Sequence, residues 1–194
     1  TVTQGAWASG GNLNTARFNG DSGSTPATTG IYFGGGAPPK GETEEYNGTA
    51  WTESGDLGTA RTVIHGFGTQ TTAVGAAGYV DGTGDVANVE EYNGSSWTEV
   101  TNTPAARRGG GSFGTLTAGV IVGGVPNLNT TLEYDGTNWA SGGNIGTGMD
   151  RCEGAGAGTL TAGLVVAGDT TESFTYDGTN WTDVGTCLGP HDGG

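Results

Sequence analysis

The sequence predicts an all-β protein built from four copies of one small unit. An eight-residue pattern, with Tyr at its third position and Trp at its eighth, occurs four times in the 194-residue chain. The copies read EEYNGTAW, EEYNGSSW, LEYDGTNW and FTYDGTNW, at residues 44–51, 90–97, 132–139 and 174–181. An Asn-Gly or Asp-Gly pair follows each Tyr, and such pairs favour tight turns with positive φ at both central residues. Each copy is therefore predicted to form a β-hairpin.

The spacing of the tryptophans indicates a repeat architecture. The five Trp residues are separated by 44, 46, 42 and 42 positions, and periods of this order are typical of propellers or helical arrays. Helical arrays are excluded, because no glycine-poor segment carries an apolar stripe at helical spacing over three turns. The fixed residues are Trp7, Arg17, Tyr46, Trp51, Arg61, Tyr92, Trp97, Arg107, Tyr134, Trp139, Arg151, Tyr176 and Trp181.

Each unit is predicted to contain four short strands. In the third unit they are RGGGSF, the apolar run GVIVGG, TTLEY and TNWAS. In every unit the second strand is the most apolar one and is predicted to be the most deeply buried. Its small residues fit strands that crowd a central axis. A four-stranded sheet cannot bury both faces alone, so we expect a β-propeller of radially stacked antiparallel blades. The units span approximately 8–51, 52–97, 98–139 and 140–181 of a single domain covering 1–194, with partial strands at both termini.

Composition predicts a thin core and an acidic surface. The chain has 42 Gly and only 30 Leu, Ile, Val and Phe residues, a composition that approaches disordered sequences. The regular repeat argues for a fold whose core is spread over many small units. A net charge of −14 with six Lys and Arg excludes nucleic acid and anionic membrane surfaces as partners. No apolar run is long enough for membrane insertion.

The motifs together resemble the kelch repeat of β-propellers. An apolar strand ends in Gly-Gly, a Tyr with Asp or Asn follows, then a Trp, and an Arg precedes the next unit. The resemblance extends from Trp7 to Trp181, although Ala-Gly replaces the Gly pair at 77–78 and 167–168. The Thr- and Gly-rich style is similar to kelch-like arrays in virion proteins of tailed phages. The resemblance implies a virion or extracellular location, with other copies or other virion proteins as partners.

The repeated Trp and Arg columns have two interpretations each. The Trp column is predicted to pack each outer strand against the neighbouring blade, and the Arg column to tie strand ends together through carbonyls or a nearby Glu. The alternative for the Arg column is anion binding. The alternative for the Trp column is a lectin that stacks cell-surface glycans. The lectin candidates are Trp51, Trp97, Trp139 and Trp181.

Paired carboxylates at Glu44-Glu45 and Glu90-Glu91 invite comparison with glycosidases. Neighbouring residues on a strand point to opposite faces, so the members of a pair cannot share one site. The matching positions in the later copies are Leu132-Glu133 and Phe174-Thr175, which do not preserve the pair. The Glu pairs are therefore predicted to lie on solvated strand faces.

The remaining candidates for chemistry do not form a catalytic set. YVDGTGD, with Asp81, Gly84 and Asp85, loosely resembles a calcium loop but lacks its spacing and is predicted to be a turn. His65 and His191 have no Cys or Asp at metal-ligand spacing. No Ser lies in a G-x-S-x-G nucleophile motif. The sequence therefore predicts a non-enzyme without a metal or cofactor, acting as a structural or adhesive module or, alternatively, as a lectin.

Two features of the terminal unit remain open at the sequence level. Cys152 and Cys187 are the only cysteines and are predicted to form a disulfide, with a pair of buried free thiols as the alternative. The Trp7 segment is predicted to be an additional fourth strand, because the last unit already contains its own fourth strand with Trp181. Four blades are predicted within the chain. The Trp7 strand is expected to extend the last blade, to lie within a longer propeller, or to pair with another chain.

Overall fold

The structure, a computed structural model, is all-β. It describes residues 10–24, 28–151, 156–166 and 171–186, and no helix occurs in these ranges. Sixteen strands form four antiparallel sheets of four strands each, which confirms the predicted fold class. Every sheet is a meander, in which each strand pairs with the next one along the chain. We call the sheets blades 1 to 4 in chain order.

The strand bounds show how closely the four blades repeat. Blade 1 contains β1 (Asp21–Ser24), β2 (Gly30–Phe33), β3 (Thr43–Tyr46) and β4 (Trp51–Glu53). Blade 2 contains β5 (His65–Thr69), β6 (Thr72–Val80), β7 (Gly84–Tyr92) and β8 (Trp97–Glu99). Blade 3 contains β9 (Gly111–Thr115), β10 (Ala118–Val122), β11 (Thr131–Tyr134) and β12 (Trp139–Ser141). Blade 4 contains β13 (Gly156–Thr159), β14 (Ala162–Val166), β15 (Glu172–Tyr176) and β16 (Trp181–Thr186).

The eight-residue pattern forms the hairpin between the third and fourth strands of every blade, with its Tyr and Trp directly paired. The predicted turn dihedrals are wrong, because Gly48 has a φ of 91° whereas Asn47 does not have a positive φ. Asn47 instead accepts hydrogen bonds at Oδ1 from the N–H groups of Thr49 and Ala50, each at 3.0 Å. The Asn or Asp thus serves as a side-chain acceptor that closes the turn. The equivalent acceptors are Asn93, Asp135 and Asp177.

The blades lie side by side in a propeller-like arrangement, joined through their first strands. β1 contacts β5, β5 contacts β9, and β9 contacts β13. Three separate apolar clusters fill the junctions between consecutive blades, so the core is thin and distributed, as the composition predicts. Junction 1–2 contains Ile31, Phe33, Leu57, Ile64, Ala73 and Tyr92. Junction 2–3 contains Phe67, Val74, Ala76, Val89, Ile121, Leu132 and Tyr134. Junction 3–4 contains Phe113, Val120, Val122, Ile145, Met149, Val165, Phe174 and Tyr176.

The first strands, rather than the second strands, line the shared axis. Three consecutive residues from each first strand surround a cavity of about 250 Å³. Asp21 links three blades there, because its Oδ2 accepts hydrogen bonds from the Gly66 N–H at 2.7 Å and the Ser112 hydroxyl at 3.0 Å. The second strands therefore lie one layer further out than the sequence argument placed them.

Small residues in the second strands make room for aromatic rings of the preceding blade. A Cβ atom at Gly119 in β10 would overlap the Phe67 ring of blade 2, and a Cβ atom at Gly163 in β14 would overlap the Phe113 ring of blade 3. Both glycines pair directly with the Tyr of their own blade. The glycine therefore lets the preceding blade insert a Phe beside that Tyr.

Replacing Gly119 with Ala is expected to lower the free energy of unfolding by about 1–3 kcal/mol, because the added methyl group forces the Phe67 ring out of its place. Gly146→Ala is the matched control, since its Cβ would meet one Phe174 ring carbon at an ordinary 3.8 Å. Urea denaturation of the two variants measures the difference. Equal stability of both variants would show that the ring does not pack on Gly119.

Blades 1 and 4 meet differently from the other neighbouring blades within the described residues. The strands described for them share no apolar cluster of the kind found at the other three junctions. Their first strands, β1 and β13, both line the axial cavity. Trp7, Cys152, Cys187 and His191 lie outside the described residues. The predictions about the surplus strand and the disulfide therefore stay predictions.

Candidate functional site: the blade junctions

A tyrosine-to-glutamate hydrogen bond crosses every junction. The Tyr92 hydroxyl of blade 2 donates to Glu45 Oε1 of blade 1 at 2.6 Å, and Tyr134 of blade 3 donates to Glu91 Oε1 at 2.7 Å. Tyr176 of blade 4 donates to Glu133 in the same way. The second residue of each of the first three copies of the pattern is therefore the acceptor for the next blade.

The environment of these tyrosines keeps their hydroxyl groups protonated. Burial, together with the hydrogen bond to Glu45, raises the pKa of Tyr92 to about 12. Burial and Glu133 raise the pKa of Tyr176 to about 12 as well. Burial and Glu91 raise the pKa of Tyr134 well above its ordinary value. Because the phenol stays neutral, it remains a hydrogen-bond donor across the whole range in which the protein is expected to work.

The first glutamate of each intact pair is buried and holds an arginine. Arg17 Nη1 lies 2.7 Å from Glu44 Oε1 with both side chains fully buried, and Arg61 Nη2 lies 2.9 Å from Glu90 Oε1. The prediction that these Glu pairs lie on solvated faces is wrong for Glu44 and Glu90. The prediction that the two members of a pair point to opposite faces agrees with the separate partners of Glu44 and Glu45.

The buried carboxylates also hold the segment that leads into the blade. Glu90 accepts hydrogen bonds from the Gly58 N–H at 2.6 Å and the Thr59 N–H at 3.3 Å. Arg61 donates to the carbonyls of Ala77 and Asn88, at 2.8 and 2.6 Å. The ion pair is thus embedded in a network that satisfies its remaining donors and acceptors, which is the condition for a stabilising buried pair. Glu44 repeats the arrangement with the N–H groups of Asn14 and Thr15.

The arginine column changes in blades 3 and 4. Arg107 is buried, but Leu132 holds the position that Glu90 holds in blade 2. Among the described residues, the Arg107 guanidinium donates to the Thr130 carbonyl at 3.4 Å and to the Thr130 hydroxyl at 3.2 Å. In blade 4 the equivalent residue is Met149 rather than Arg151. Met149 is fully buried in an apolar cluster.

Glycines in the C-terminal part of a second strand, or just after it, hold the backbone of the residues in this column. The N–H groups of Gly35 and Gly78 donate to the carbonyls of Arg61 and Arg107, each at 2.8 Å. Gly124 N–H donates to the Met149 carbonyl at 2.7 Å, which identifies Met149 as the equivalent residue. These three glycines have φ values of 90°, 113° and 112°, a region that favours Gly. The second glycine of the Gly-Gly or Ala-Gly pair therefore binds the backbone of the linker to the next blade through this hydrogen bond.

Arg151 lies two residues beyond Met149 and has a different environment. It is exposed and has a φ of 53°. Counting from the preceding Trp would have found the difference, because Arg61, Arg107 and Met149 each follow a Trp by ten positions, whereas Arg151 follows Trp139 by twelve.

The tryptophans pack between blades with their indole N–H groups engaged. Each Trp lies against the Tyr of its own hairpin, with ring centroids 4.6 to 5.1 Å apart. Trp97 also packs edge-on against Phe33 of blade 1, at 4.7 Å. Its indole N–H donates to the Thr43 hydroxyl at 2.9 Å, and that of Trp181 donates to the Thr131 hydroxyl at 2.9 Å. The N–H groups of Trp51 and Trp139 donate to the carbonyls of Gly11 and Thr101.

His65, to which the sequence analysis assigns no metal-binding role, is a buried ionisable residue. It begins β5, its side chain is fully buried, and its Nε2 accepts a hydrogen bond from the Gly110 N–H at 3.0 Å. Burial, reinforced by the positive charge of Arg107, lowers the pKa of His65 to about 3. The imidazole is therefore neutral at physiological pH. It occupies the position of Asp21 in blade 1, four residues after the column arginine.

The predicted turn at Asp81 and Asp85 closes the long β6–β7 hairpin. Asp85 forms an ion pair with Arg108, and the Arg108 guanidinium lies 5.0 Å from the centre of the Tyr79 ring. No group of three or more His, Cys, Asp or Glu side chains in the described ranges could hold a metal ion. The described part of the chain also contains no helix able to span a membrane.

A cavity of about 420 Å³ opens at the outer edge of junction 2–3. Its lining includes the polar side chains of Glu91, Asn93 and Thr98 and the apolar side chains of Val100 and Leu116. At junction 1–2, Gln70 occupies the position of Leu116 and donates to the Tyr46 carbonyl at 3.0 Å. The junctions therefore share their inner contacts and differ at this outer edge.

Replacing Tyr134 with Phe is expected to lower the free energy of unfolding by about 1.5–3 kcal/mol, because Glu91 loses a charge-assisted hydrogen bond. Tyr46→Phe is the matched control. Its hydroxyl has no carboxylate partner among the described residues, so the same change is expected to cost little. Chemical denaturation at neutral pH measures both. A loss as large for Tyr46→Phe as for Tyr134→Phe would contradict this role of the acceptor.

No protein-family model matches the chain, and a comparison with curated proteins finds no match.

Proposed function

We propose that the chain is a non-enzymatic structural and adhesive module of a virion appendage or extracellular assembly, built from kelch-like repeats. The observation that carries the proposal is the use of the repeated side chains. The Tyr, Glu and Trp residues of the pattern join one blade to the next, instead of converging on one ligand. The repeated residues thus hold neighbouring blades together, and a protein with firmly joined blades suits a scaffold that holds neighbouring proteins.

The hairpin tips supply the surface for such contacts. Each tip is a polar four-residue turn at the end of a blade, closed by its own Asn or Asp side chain. A tip with the same turn closure therefore recurs in all four blades. Repeated weak contacts gain avidity when their geometry permits simultaneous engagement, so an array of equal tips suits attachment to a repetitive surface.

Immunogold electron microscopy tests the location that this function requires. Antibodies raised against the purified chain are applied to virus particles and cells that produce the protein. Label on particle appendages or on the outer surface of an assembly is expected. Label confined to the cell interior would contradict the proposal.

A lectin is the second candidate, and the cavity at junction 2–3 favours it. Its lining combines hydroxyl, amide and carboxylate groups with apolar side chains, a combination that suits small polar ligands such as sugars. A glycan array tests this candidate with Thr98→Arg, which fills the cavity, and Thr52→Arg, which changes the equivalent residue of blade 1. Saturable binding that only Thr98→Arg abolishes would support the lectin. Absence of binding by the unmodified chain would exclude it for the arrayed glycans.

A further inference from the structure

The arginine and glutamate positions of a blade hold two side chains of matching character in blades 1, 2 and 4. Blades 1 and 2 hold ion pairs, and blade 4 holds two apolar side chains in one cluster. In chain order these pairs are Arg17 with Glu44, Arg61 with Glu90, and Met149 with Phe174. Blade 3 combines a cation with an apolar partner, Arg107 with Leu132. Its arginine therefore lacks the carboxylate that the repeat provides elsewhere.

The Arg107 guanidinium is a buried cation without a carboxylate partner among the described residues. Arg107 is only 4% exposed, and its Nε–H has no acceptor in the described ranges. Its two hydrogen bonds to Thr130, at 3.4 and 3.2 Å, are long for N–H donors. Burial lowers the pKa of Arg107 without an opposing carboxylate, whereas Glu90 opposes the same effect of burial at Arg61.

The charge of Arg107 has to be balanced in another way, because a guanidinium keeps its proton in proteins and buried charges are normally paired. The adjacent Arg108 does not compete for a counter-ion, since it already pairs with Asp85. Thr130 is half-buried, so the guanidinium lies close to solvent from which an ion can enter. The net charge of −14 repels anions at long range, but salt screens this field beyond about 8 Å at physiological ionic strength.

We propose that Arg107 and Thr130 bind a small inorganic anion, of the class of chloride, in the place that the carboxylate of Glu90 holds beside Arg61. In blade 2 that carboxylate oxygen lies 2.9 Å from the guanidinium. Leu132 lacks the carboxylate oxygens, so it provides no acceptor there. The Thr130 hydroxyl accepts a hydrogen bond from Arg107 Nη2 and can donate its own hydrogen to the anion.

The donor set favours a compact monovalent anion. One positive charge is available, and it is balanced by one negative charge. Sulfate or phosphate carries more charge and more acceptor oxygens than one guanidinium and one hydroxyl can satisfy. The site thus takes from solution the counter-ion that blades 1 and 2 carry as a side chain. This inference concerns a ligand of the fold and does not depend on the proposed scaffold function.

Chloride nuclear magnetic resonance of the folded full chain tests the proposal, because exchange with a protein site broadens the signal of free chloride. Saturable broadening is expected with the unmodified chain and is expected to be lost in Arg107→Met, a side chain that Met149 already provides at this position of blade 4. Lys40→Met, which removes a partly exposed cation, is the matched control and is expected to keep the broadening. Absence of broadening in the unmodified chain, or its survival in Arg107→Met, would overturn the proposal.

Leu132→Glu tests the position of the anion, because it supplies the carboxylate from the chain itself. The broadening is expected to be lost although Arg107 is retained. The melting temperature of the unmodified chain is expected to rise more in sodium chloride than in sodium fluoride of equal ionic strength, and this difference is expected to vanish in Leu132→Glu. Broadening that persists in folded Leu132→Glu would place the anion elsewhere and contradict the proposal. If Leu132→Glu does not fold, the comparison of Arg107→Met with Lys40→Met still decides.

Discussion

Replacing Arg61 with Met is expected to lower the free energy of unfolding by about 3–5 kcal/mol, because it leaves the Glu90 carboxylate buried without its cation. Arg61 is fully buried and its guanidinium lies 2.9 Å from the Glu90 carboxylate. The same guanidinium also satisfies the carbonyls of Ala77 and Asn88, which would lose their donor. Chemical denaturation at neutral pH measures the loss.

The double variant Arg61→Met with Glu90→Leu is the control, and the chain itself contains its precedents. Met149 holds the arginine position of blade 4, and Phe174 holds the glutamate position of the same blade, in the same apolar cluster. An apolar pair therefore fits this place in the repeat. The double variant is expected to recover more than half of the stability lost by the single one, because no charge is left unpaired. If the double variant loses the sum of the free energies that Arg61→Met and Glu90→Leu lose separately, the two side chains do not act as a pair.

Acidification from pH 6.5 to 5 is expected to lower the free energy of unfolding by about 1.5 kcal/mol through His65 alone. The folded-state pKa of His65 is about 3, against an ordinary value of 6.5. Between these values the unfolded chain binds a proton that the folded protein does not bind. Stability therefore falls as the pH decreases, with a slope that approaches about 1.4 kcal/mol per pH unit well below pH 6.5, and the loss fades out above about pH 7.5.

His65→Gln separates this effect from the titration of carboxylates. Its amide oxygen can accept the Gly110 N–H hydrogen bond that Nε2 accepts, but the side chain does not titrate. The slope of stability against pH between 6.5 and 5 is expected to be flatter in this variant by the amount assigned to His65. An unchanged slope would show that the histidine is not held neutral in the folded protein.

The regular parts of the fold could be predicted because they are written in local patterns. The Tyr and Trp of each hairpin are five residues apart, and the turn between them follows from a single Asn-Gly or Asp-Gly pair. Four registered copies then determine the number of blades. The opposite orientation of Glu44 and Glu45 also follows from the alternation of strand side chains.

The sequence predicts that the arginines bind carbonyls or a nearby Glu, but it does not identify the glutamate or its burial, because the partners are distant in the sequence. Glu44 and Arg17 are 27 residues apart, and Glu90 and Arg61 are 29 residues apart. Carboxylates are mostly exposed, so solvated faces were the reasonable prediction for a Glu on a strand. Only the packing of the linker against the blade reveals that the charge is enclosed.

The departures from the repeat were missed for a different reason. Arg151 matches the column in residue type, but Met149 matches it in position. Matching by residue type favours the arginine. The hydrogen bond from Gly124 N–H depends only on the backbone carbonyl at position 149, so an apolar side chain fits there. His65 was likewise dismissed as a metal ligand without a further role. Its burial depends on a contact with Gly110, 45 residues away.

Hydrogen exchange at Gly35, Gly78 and Gly124 tests most directly whether one junction structure repeats through the chain. These amides belong to three different blades, and each donates to the carbonyl of the equivalent linker residue, Arg61, Arg107 or Met149. Slow exchange of similar protection is expected at all three, with fast exchange at Gly82 in the exposed β6–β7 turn. Exchange as fast at the three glycines as at Gly82 would contradict the junctions described above.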